Sequence, residues 1–435
     1  MVKSNGTVST KSADLPANRP PNRPASLPAS GLASGLASEL ASELASRLTE
    51  NCAAWSQLTK VAWLRSGALG DLVVGLASLA EMPRFFPDAK ITVIGPALWT
   101  ELLDPQAMPF VERIIVVARK SQRGRSYRAQ GATWVAEGEA DLVELLRGYD
   151  ALVNTNTDSY RYAFTALRAG VKVRIGSAPR EMAWLYHFNA PYLGKDPLIH
   201  ERDWPLVLLE YATPGWRRFI RSTAGNRAQL AGLLNSSRLV AVWRKLGLPN
   251  LLHYSEERVR ALTSHSSKGY LLVNPTSSRR EKAWPAERVR ELLLDLREDL
   301  KNLNLAALVI GAPTETSWLK EVAGEEFQIV QPANLRDLQE IVRGARVLLT
   351  NVSSMQFIAA TTQTPTLTVV GRSKPEIWGP VGCGDQMVLA ERGNSTEGGE
   401  LSIFEDEARL YRTIAMDEVK RALLPMMGKT QTPAV

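Results

Sequence analysis

An α/β chain with two doubly wound, Rossmann-like units in tandem is what this 435-residue sequence predicts. The first reason is length, which exceeds one ordinary core and suits two domains of about 150 to 200 residues plus tails. The second is a pair of blocks in which short apolar runs alternate with amphipathic helical segments. The third is the stretch KVAWLRSGALGDLVVGLASLAE, Lys60 to Glu81, where an apolar strand breaks at Ser66-Gly67 and a helix opens at Gly70-Asp71. A hydrophobic content of 45% is enough to build both cores.

Residues 1 to about 29 are rich in Ser, Pro, Asn and Arg, a composition that cannot offset its ordering entropy, so disorder is expected. From Ala29 to Leu48, leucines recur every four residues (Leu32, Leu36, Leu40, Leu44, Leu48), the stripe of a linker-like helix able to touch a membrane surface. Simple repeat expansion is the plainer reading. Residues 1–58 form this extension.

The first domain, 59–265, starts with strand KVAWLR, helix DLVVGLASLAEMPRFFP, strand AKITVIG, a helix near Leu98 to Leu103 and strand VERIIVVA. Residues 119–136 read as a basic insertion carrying Arg119, Lys120, Arg123, Arg125 and Arg128, which suits phosphates or a solvated loop. A helix over 139–148 leads to DALVNTN, and the short connections imply a parallel sheet. The Trp-rich stretch 177–265 reads as irregular, the tail of this domain and the connection. The second domain, 266–425, alternates regularly: GYLLVNP, AERVRELLLDLRED, LAALVIGAP, TSWLKEVAG, FQIVQP, LRDLQEIVRGA, VLLTN, SMQFIAATTQ and TLTVVG. Residues 426–435 are a tail.

Lys and Arg number 52 against 45 Asp and Glu, a net charge of +7. The excess suits a phosphorylated substrate, nucleic acid or an acidic membrane surface, and selects none of them. No nucleic-acid motif accompanies it, so no nucleic-acid partner is expected. Cys52 and Cys383 flank no metal-ligand spacing and fit a reduced compartment; His187, His200, His253 and His265 show no HExxH pattern. Neither a metal nor another cofactor is expected. No apolar run reaches about 18 residues, and the N-terminus does not read as a secretory leader, so the expected location is the cytoplasm.

Asp71 stands in the first turn of a helix, where unpaired backbone N–H groups and a partial positive charge stabilise negative charge. It is a candidate general base, with a dipole-compensating carboxylate as the plain alternative. G-A-L-G-D lacks both the GxGxxG spacing and a GK[ST] element, so neither NAD nor ATP binding follows.

WLRSGALGDLVVGLAS, from Trp63 to Ser78, resembles the first strand and turn of glycosyltransferase family 9, the heptosyltransferases that add ADP-activated heptose to the lipopolysaccharide inner core. NPTSSRREKAWPAERVRELL is similar to that family's Gly/Ser-rich turn and K-x-W-P helix start. VIGAPTE resembles its Gly-x-Pro-x-Glu turn, and ARVLLTNVSSMQFIAATTQTPTLTVVGRSKPEIWGP its late block. The resemblance runs through most of 60–390 and implies two Rossmann-like domains facing a cleft, the GT-B architecture. It also implies an inverting, metal-independent transfer from a nucleotide sugar, ADP-linked, to a lipopolysaccharide or other envelope glycan, with peripheral contact at the inner membrane. A GT-B protein that binds nucleotide sugar or glycolipid without transfer is the alternative.

Such a transfer needs a base for the acceptor hydroxyl and donors for the departing diphosphate. The resemblance implies Asp71 as the base, with Ser66, Gly67 and Gly70 placing backbone N–H groups near substrate. Lys282 matches the family's lysine, just before a helix start, as a diphosphate ligand. Arg280 is either a bidentate phosphate clamp or a solvated loop charge, while Thr276 and Ser277 supply hydroxyls. Glu315 is either an acceptor for ribose hydroxyls or a helix N-terminal charge. Where the family reads D-[ST]-G-x-x-H, this chain has Val352, Ser353, Ser354 and, at the His position, Phe357. A different donor, compensation by Asn351, Ser353, Ser354 and Gln356, or loss of transfer would each account for it; Ser353 and Ser354 still offer hydroxyls and free N–H groups at a helix start.

Overall fold

The computed structural model describes residues 55, 57–103, 108–117, 133–136, 138–156, 160–189, 204–212, 269–381, 386–389 and 403–428. The leucine repeat and the basic residues Arg119 to Arg128 lie outside the described residues. Two parallel sheets with flanking helices bear out the doubly wound prediction.

The first sheet has strands β1 (Lys60–Leu64), β2 (Lys90–Gly95), β3 (Val111–Val117), β4 (Thr133–Ala136), β5 (Ala151–Asn154), β6 (Val173–Gly176) and β7 (Phe188–Asn189), in the order β4-β3-β2-β1-β5-β6-β7. Its helices are α1 (Leu69–Phe85), α2 (Trp99–Leu102), α3 (Glu139–Leu146), α4 (Arg161–Arg168) and α5 (Trp204–Tyr211). The second sheet has β8 (Tyr270–Asn274), β9 (Ala306–Ile310), β10 (Gln328–Val330), β11 (Val347–Asn351), β12 (Thr366–Val370) and β13 (Gln386–Leu389), in the order β10-β9-β8-β11-β12-β13. Helices α6 (Ala286–Asp295), α7 (Arg297–Asn302), α8 (Thr316–Ala323), α9 (Leu335–Gly344), α10 (Ser354–Thr362), α11 (Pro375–Trp378), α12 (Ile403–Thr413) and α13 (Met416–Gly428) complete it.

The central strands are buried along their whole length because helices cover both faces, so no residue alternates outward to water. β8, β11 and β12 are buried at every position. Strand order reverses between β1 and β5 in one sheet and between β8 and β11 in the other. At such a reversal the flanking connections leave in opposite directions, which opens a crevice at the carboxyl ends of the strands.

Three segments differ from expectation. Residues 133–136, assigned to the basic insertion, pair with β3 as a parallel strand; four residues are too few for periodicity to mark a strand. The stretch read as irregular from 177 contains the 3-10 helix Arg180–Leu185, β7 and α5. The α5 segment WPLVLLEY is apolar nearly all round, so it shows no helical period although it buries Trp204, Leu208 and Leu209. Helices α12 and α13 and the turn between them add Tyr411, Ile414, Val419 and Leu423 to the second core.

That core also holds Trp284, whose backbone N–H donates to Asn351 Oδ1 at 2.9 Å. Trp284→Ala is expected to cost about 3–5 kcal/mol, the range for emptying a buried aromatic site. A urea denaturation midpoint within error of the parent would contradict this packing.

Among the described residues the two halves touch at these points. The start of α1 meets the start of α10, and Glu101 Oε2 in α2 accepts from Leu335 N at the first position of α9, 3.1 Å away. The second contact places a carboxylate at the positive end of a helix dipole.

Candidate functional site

Each half of the site sits at a strand-order reversal. In the first sheet, β1 runs into Arg65 and Ser66, and the chain turns at Gly67, φ +136°, before α1 begins. That φ is tolerated by glycine and rarely by L side chains. A Cβ there would overlap the Asp71 carboxylate. Asp71 Oδ2 accepts from Ala68 N at 2.7 Å and so closes its own turn. Among the described residues its second oxygen, Oδ1, takes no hydrogen bond, and the side chain is half-buried. The carboxylate is thus oriented through one oxygen.

Sequence reasoning missed the residues that hold this turn. Arg65, buried, donates from Nε to Asp71 O at 3.0 Å and from Nη1 to Thr155 O at 2.7 Å, joining the start of α1 to the end of β5. Gly75 lets the Arg65 stem cross α1, since a Cβ there would stand 3.2 Å from Arg65 Cγ. Ser66 N and Ser66 Oγ donate to Asn156 Oδ1 at 2.9 and 3.1 Å, and Asn156 Nδ2 donates to Asn154 Oδ1 at 3.0 Å. Asn154 Nδ2 donates to the Tyr186 hydroxyl at 2.6 Å. Burial pushes the Tyr186 phenol up to about 12, against the Asn154 bond, so it stays neutral. The only local signals were an Arg ending an apolar strand and the asparagines of VNTN.

In the second sheet Asn274 plays the matching part. Its Nδ2 donates to Thr276 Oγ1 and Ile310 O, each at 3.0 Å, while its Oδ1 accepts from Thr350 Oγ1 at 3.1 Å and Ser353 Oγ at 3.3 Å. One buried amide therefore ties the loops after β8, β9 and β11. Asn351 adds a second tie, with Nδ2 donating to Pro275 O at 2.8 Å and Oδ1 holding Trp284 N. The loop bearing Lys282 is fixed to the start of the late block in this way.

Ser353 is the N-cap of α10, its hydroxyl accepting from Met355 N at 3.2 Å. Gln356 donates from Nε2 to Trp378 O at 2.6 Å, which docks the W-G-P turn on α10; its Oε1 is buried without a partner among the described residues. The Ser354 and Ser277 hydroxyls and the Lys282 ammonium take no hydrogen bond or ion pair among the described residues, and all three side chains are half-buried. Arg280 differs. Its two Nη atoms meet the Glu321 carboxylate at 2.7 Å each, and its guanidinium lies 5.0 Å over the Trp318 ring. The Glu321 bond raises the Arg280 pKa and lowers that of its carboxylate partner. Its guanidinium is committed to α8, which leaves Lys282 as the open cation of this loop. Glu315 Oε2 accepts from Ala312 N at 2.7 Å, the same self-closing turn that Asp71 makes.

The halves meet across the crevice. A Cβ on Gly70 would lie 3.3 Å from Phe357 Cδ2 and 3.5 Å from Ser354 Cα. Two helix N-termini, those of α1 and α10, thus converge beside Asp71, with Phe357 buried at the contact. Both present partial positive charge to the same space. Among the described residues no group of three His, Cys, Asp or Glu side chains is placed to hold a metal ion, and no helix is long and apolar enough to cross a membrane.

Residues 246–407 match the profile of glycosyltransferase family 9 (heptosyltransferase). The chain is similar in structure to a family 9 glycosyl transferase from Veillonella parvula, at 15% identity and TM-score 0.58 over 86% of this chain and 98% of that one. It is likewise similar to E. coli ADP-heptose lps heptosyltransferase II, at 17% identity and TM-score 0.58 over 85% and 98%. E. coli heptosyltransferase WaaC with ADP matches at 17% identity and TM-score 0.55 over 85% and 100%. No curated protein matches significantly in sequence. At these identities the structural likeness carries the GT-B fold, and the matched segment carries the family resemblance.

Proposed function

We propose, from the premise that this is a heptosyltransferase-like glycosyltransferase, that the chain moves heptose or a related sugar from a nucleotide-sugar donor, ADP-linked, to a lipopolysaccharide or other envelope glycan at the cytoplasmic face of the membrane. The observation that carries this reading is the convergence of the Asp71 turn with the N-terminus of α10. The acceptor binds the first domain, 59–265, and the donor the second, 266–425.

In this reading Asp71 Oδ1 takes the proton of the acceptor hydroxyl as that oxygen attacks the anomeric carbon. The bond from that carbon to the diphosphate oxygen breaks on the opposite face, so configuration inverts. Negative charge gathers on the leaving diphosphate. Lys282, the Ser277 and Ser354 hydroxyls and the positive end of α10 are the groups that balance it, with no metal required. Thr276 and Ser353 set the loops through Asn274, and Glu315 receives ribose hydroxyls. Arg280 acts one step back, holding the Lys282 loop against α8. Phe357, at the family's polar-ring position, makes the floor of the donor site apolar where Gly70 meets it.

Incubating the full chain with ADP-, UDP- and GDP-linked sugars and a panel of envelope glycans, followed by mass spectrometry and anomeric assignment by NMR, tests this. An inverted glycoside is the expected product. A retained configuration, or tight donor binding with no turnover on any acceptor, would overturn the transfer mechanism.

Lys282→Ala is expected to raise the donor KM by about 10- to 100-fold, the loss of one charge-assisted contact to phosphate. Thermal stability should be unchanged, since the ammonium has no ion pair among the described residues. An unchanged KM would remove Lys282 from the donor site.

A further inference from the structure

In the transfer reading the base and the donor groups belong to different halves, so the distance between them depends on how the halves are held together. Glu101 is placed to hold them. It is an exposed carboxylate on α2, at the carboxyl edge of the first sheet, and its Oε2 accepts from Leu335 N at the first position of α9. The first amides of a helix have no partner within the helix. The cap Asn334 serves Asp337 N at 2.9 Å, while Leu335, a buried residue, has its N–H met from the other half by Glu101. A carboxylate suits that place because it faces the positive end of the helix dipole.

Both ends of this bond are tied to the site. On the first half, Trp99 of α2 is fully buried and donates from Nε1 to Arg65 O at 3.0 Å, and Arg65 Nε in turn donates to Asp71 O at 3.0 Å. Gly95 permits that approach, since a Cβ there would overlap Arg65 O and the Trp99 indole. On the second half, α9 is bonded to α10: Gln339 Nε2 donates to Thr361 Oγ1 at 3.4 Å, and Thr364 Oγ1, just past α10, donates to Val342 O at 2.9 Å. A line of hydrogen bonds and short helices therefore runs from the Asp71 turn through Arg65, Trp99 and Glu101 to α9, and from α9 to the helix whose N-terminus faces Asp71.

We propose that Glu101 is a positioning residue, a latch between the halves that sets the pose of the α10 N-terminus against the Asp71 turn. The Gly70 contact with Phe357 is apolar and leaves the halves able to rock about it; the directional bond from Leu335 N to Glu101 restrains that motion. Its part in catalysis rests on the transfer reading, whereas its part in holding the halves does not.

The test reads the two separately. Nitroxide labels are placed at Asp88→Cys and Lys301→Cys, exposed positions on either half at the amino edges of the sheets, in a full chain carrying Cys52→Ser and Cys383→Ser. Pulsed electron paramagnetic resonance then gives the distance distribution between the halves. Glu101→Ala is expected to broaden or shift it, while Glu101→Gln, which keeps an oxygen for Leu335 N, should restore most of the parental distribution. Glu112→Ala, which removes an exposed carboxylate paired with Lys90 at the amino edge, should leave it unchanged. In the transfer assay Glu101→Ala should lower kcat about tenfold with the donor KM near parental, and Glu101→Gln should stay within about threefold of the parent. A parental distance distribution in Glu101→Ala would overturn the latch. A changed distribution with parental kcat would overturn the positioning role. A changed distribution in a chain that transfers no sugar would support the latch and remove the transfer reading instead.

Discussion

Asp71→Asn is expected to lower the transfer rate by about 10²- to 10⁴-fold, the usual contribution of a positioned general base. The asparagine oxygen can still accept from Ala68 N, where Asp71 Oδ2 now accepts at 2.7 Å, so the first turn of α1 should remain closed. What is lost is the ability to take a proton. The effect should therefore fall on kcat, with the donor KM near parental, the reverse of the pattern expected for Lys282→Ala. Single-turnover transfer measured beside a denaturation curve separates chemistry from folding. Parental rates in a folded Asn variant would strip Asp71 of its role, and a transferase would then need another base.

Gly67→Ala should be nearly as damaging for a different reason. At φ +136° an alanine is strained whatever space surrounds it, at a cost of about 1–3 kcal/mol. Its Cβ would also overlap Asp71 Oδ2, forcing the carboxylate to move. Misplacing a catalytic group by about 1 Å can cost about 10²-fold in rate. Gly148→Ala is the control, because Gly148 also has a positive φ, +79°, but a Cβ there meets nothing within 4 Å. That variant should lose some stability and no activity. Equal activity in the two alanine variants would show that the close approach of Gly67 to the carboxylate has no catalytic consequence.

Both predictions depend on side chains that sequence made visible to different degrees. Asp71 and Gly67 were legible because strand, turn and helix start are consecutive, and each leaves a local mark: an apolar run, glycines, a carboxylate in the first turn. Arg65 and Asn156 were not. Asn156 holds Ser66 across 90 positions of chain, and Asn274 holds Thr350 across 76. Nothing local announces such a bond, since an asparagine closing a distant loop reads like one in an ordinary turn.

Arg280 and Lys282 make the same point for charge. In sequence both are cations of one loop and equally suited to a phosphate. The fold brings Glu321 and Trp318 of α8 against Arg280 and none of the described acidic groups against Lys282. The short strand 133–136 and the apolar helix α5 escaped notice because one is too brief and the other too uniformly buried to show a period.

By itself the sequence determined the two doubly wound sheets, the Asp71 turn and the resemblance to family 9, because alternation of strand and helix and the chemistry of a helix start are local properties. Only the tertiary structure decided that Gly70 meets Phe357 and Ser354 and that Asn274 ties three loops. Those depend on where parallel strands end and how their connections pack. A strand-order reversal gathers residues far apart in the chain into one crevice, and no spacing along the chain encodes which of them will face each other.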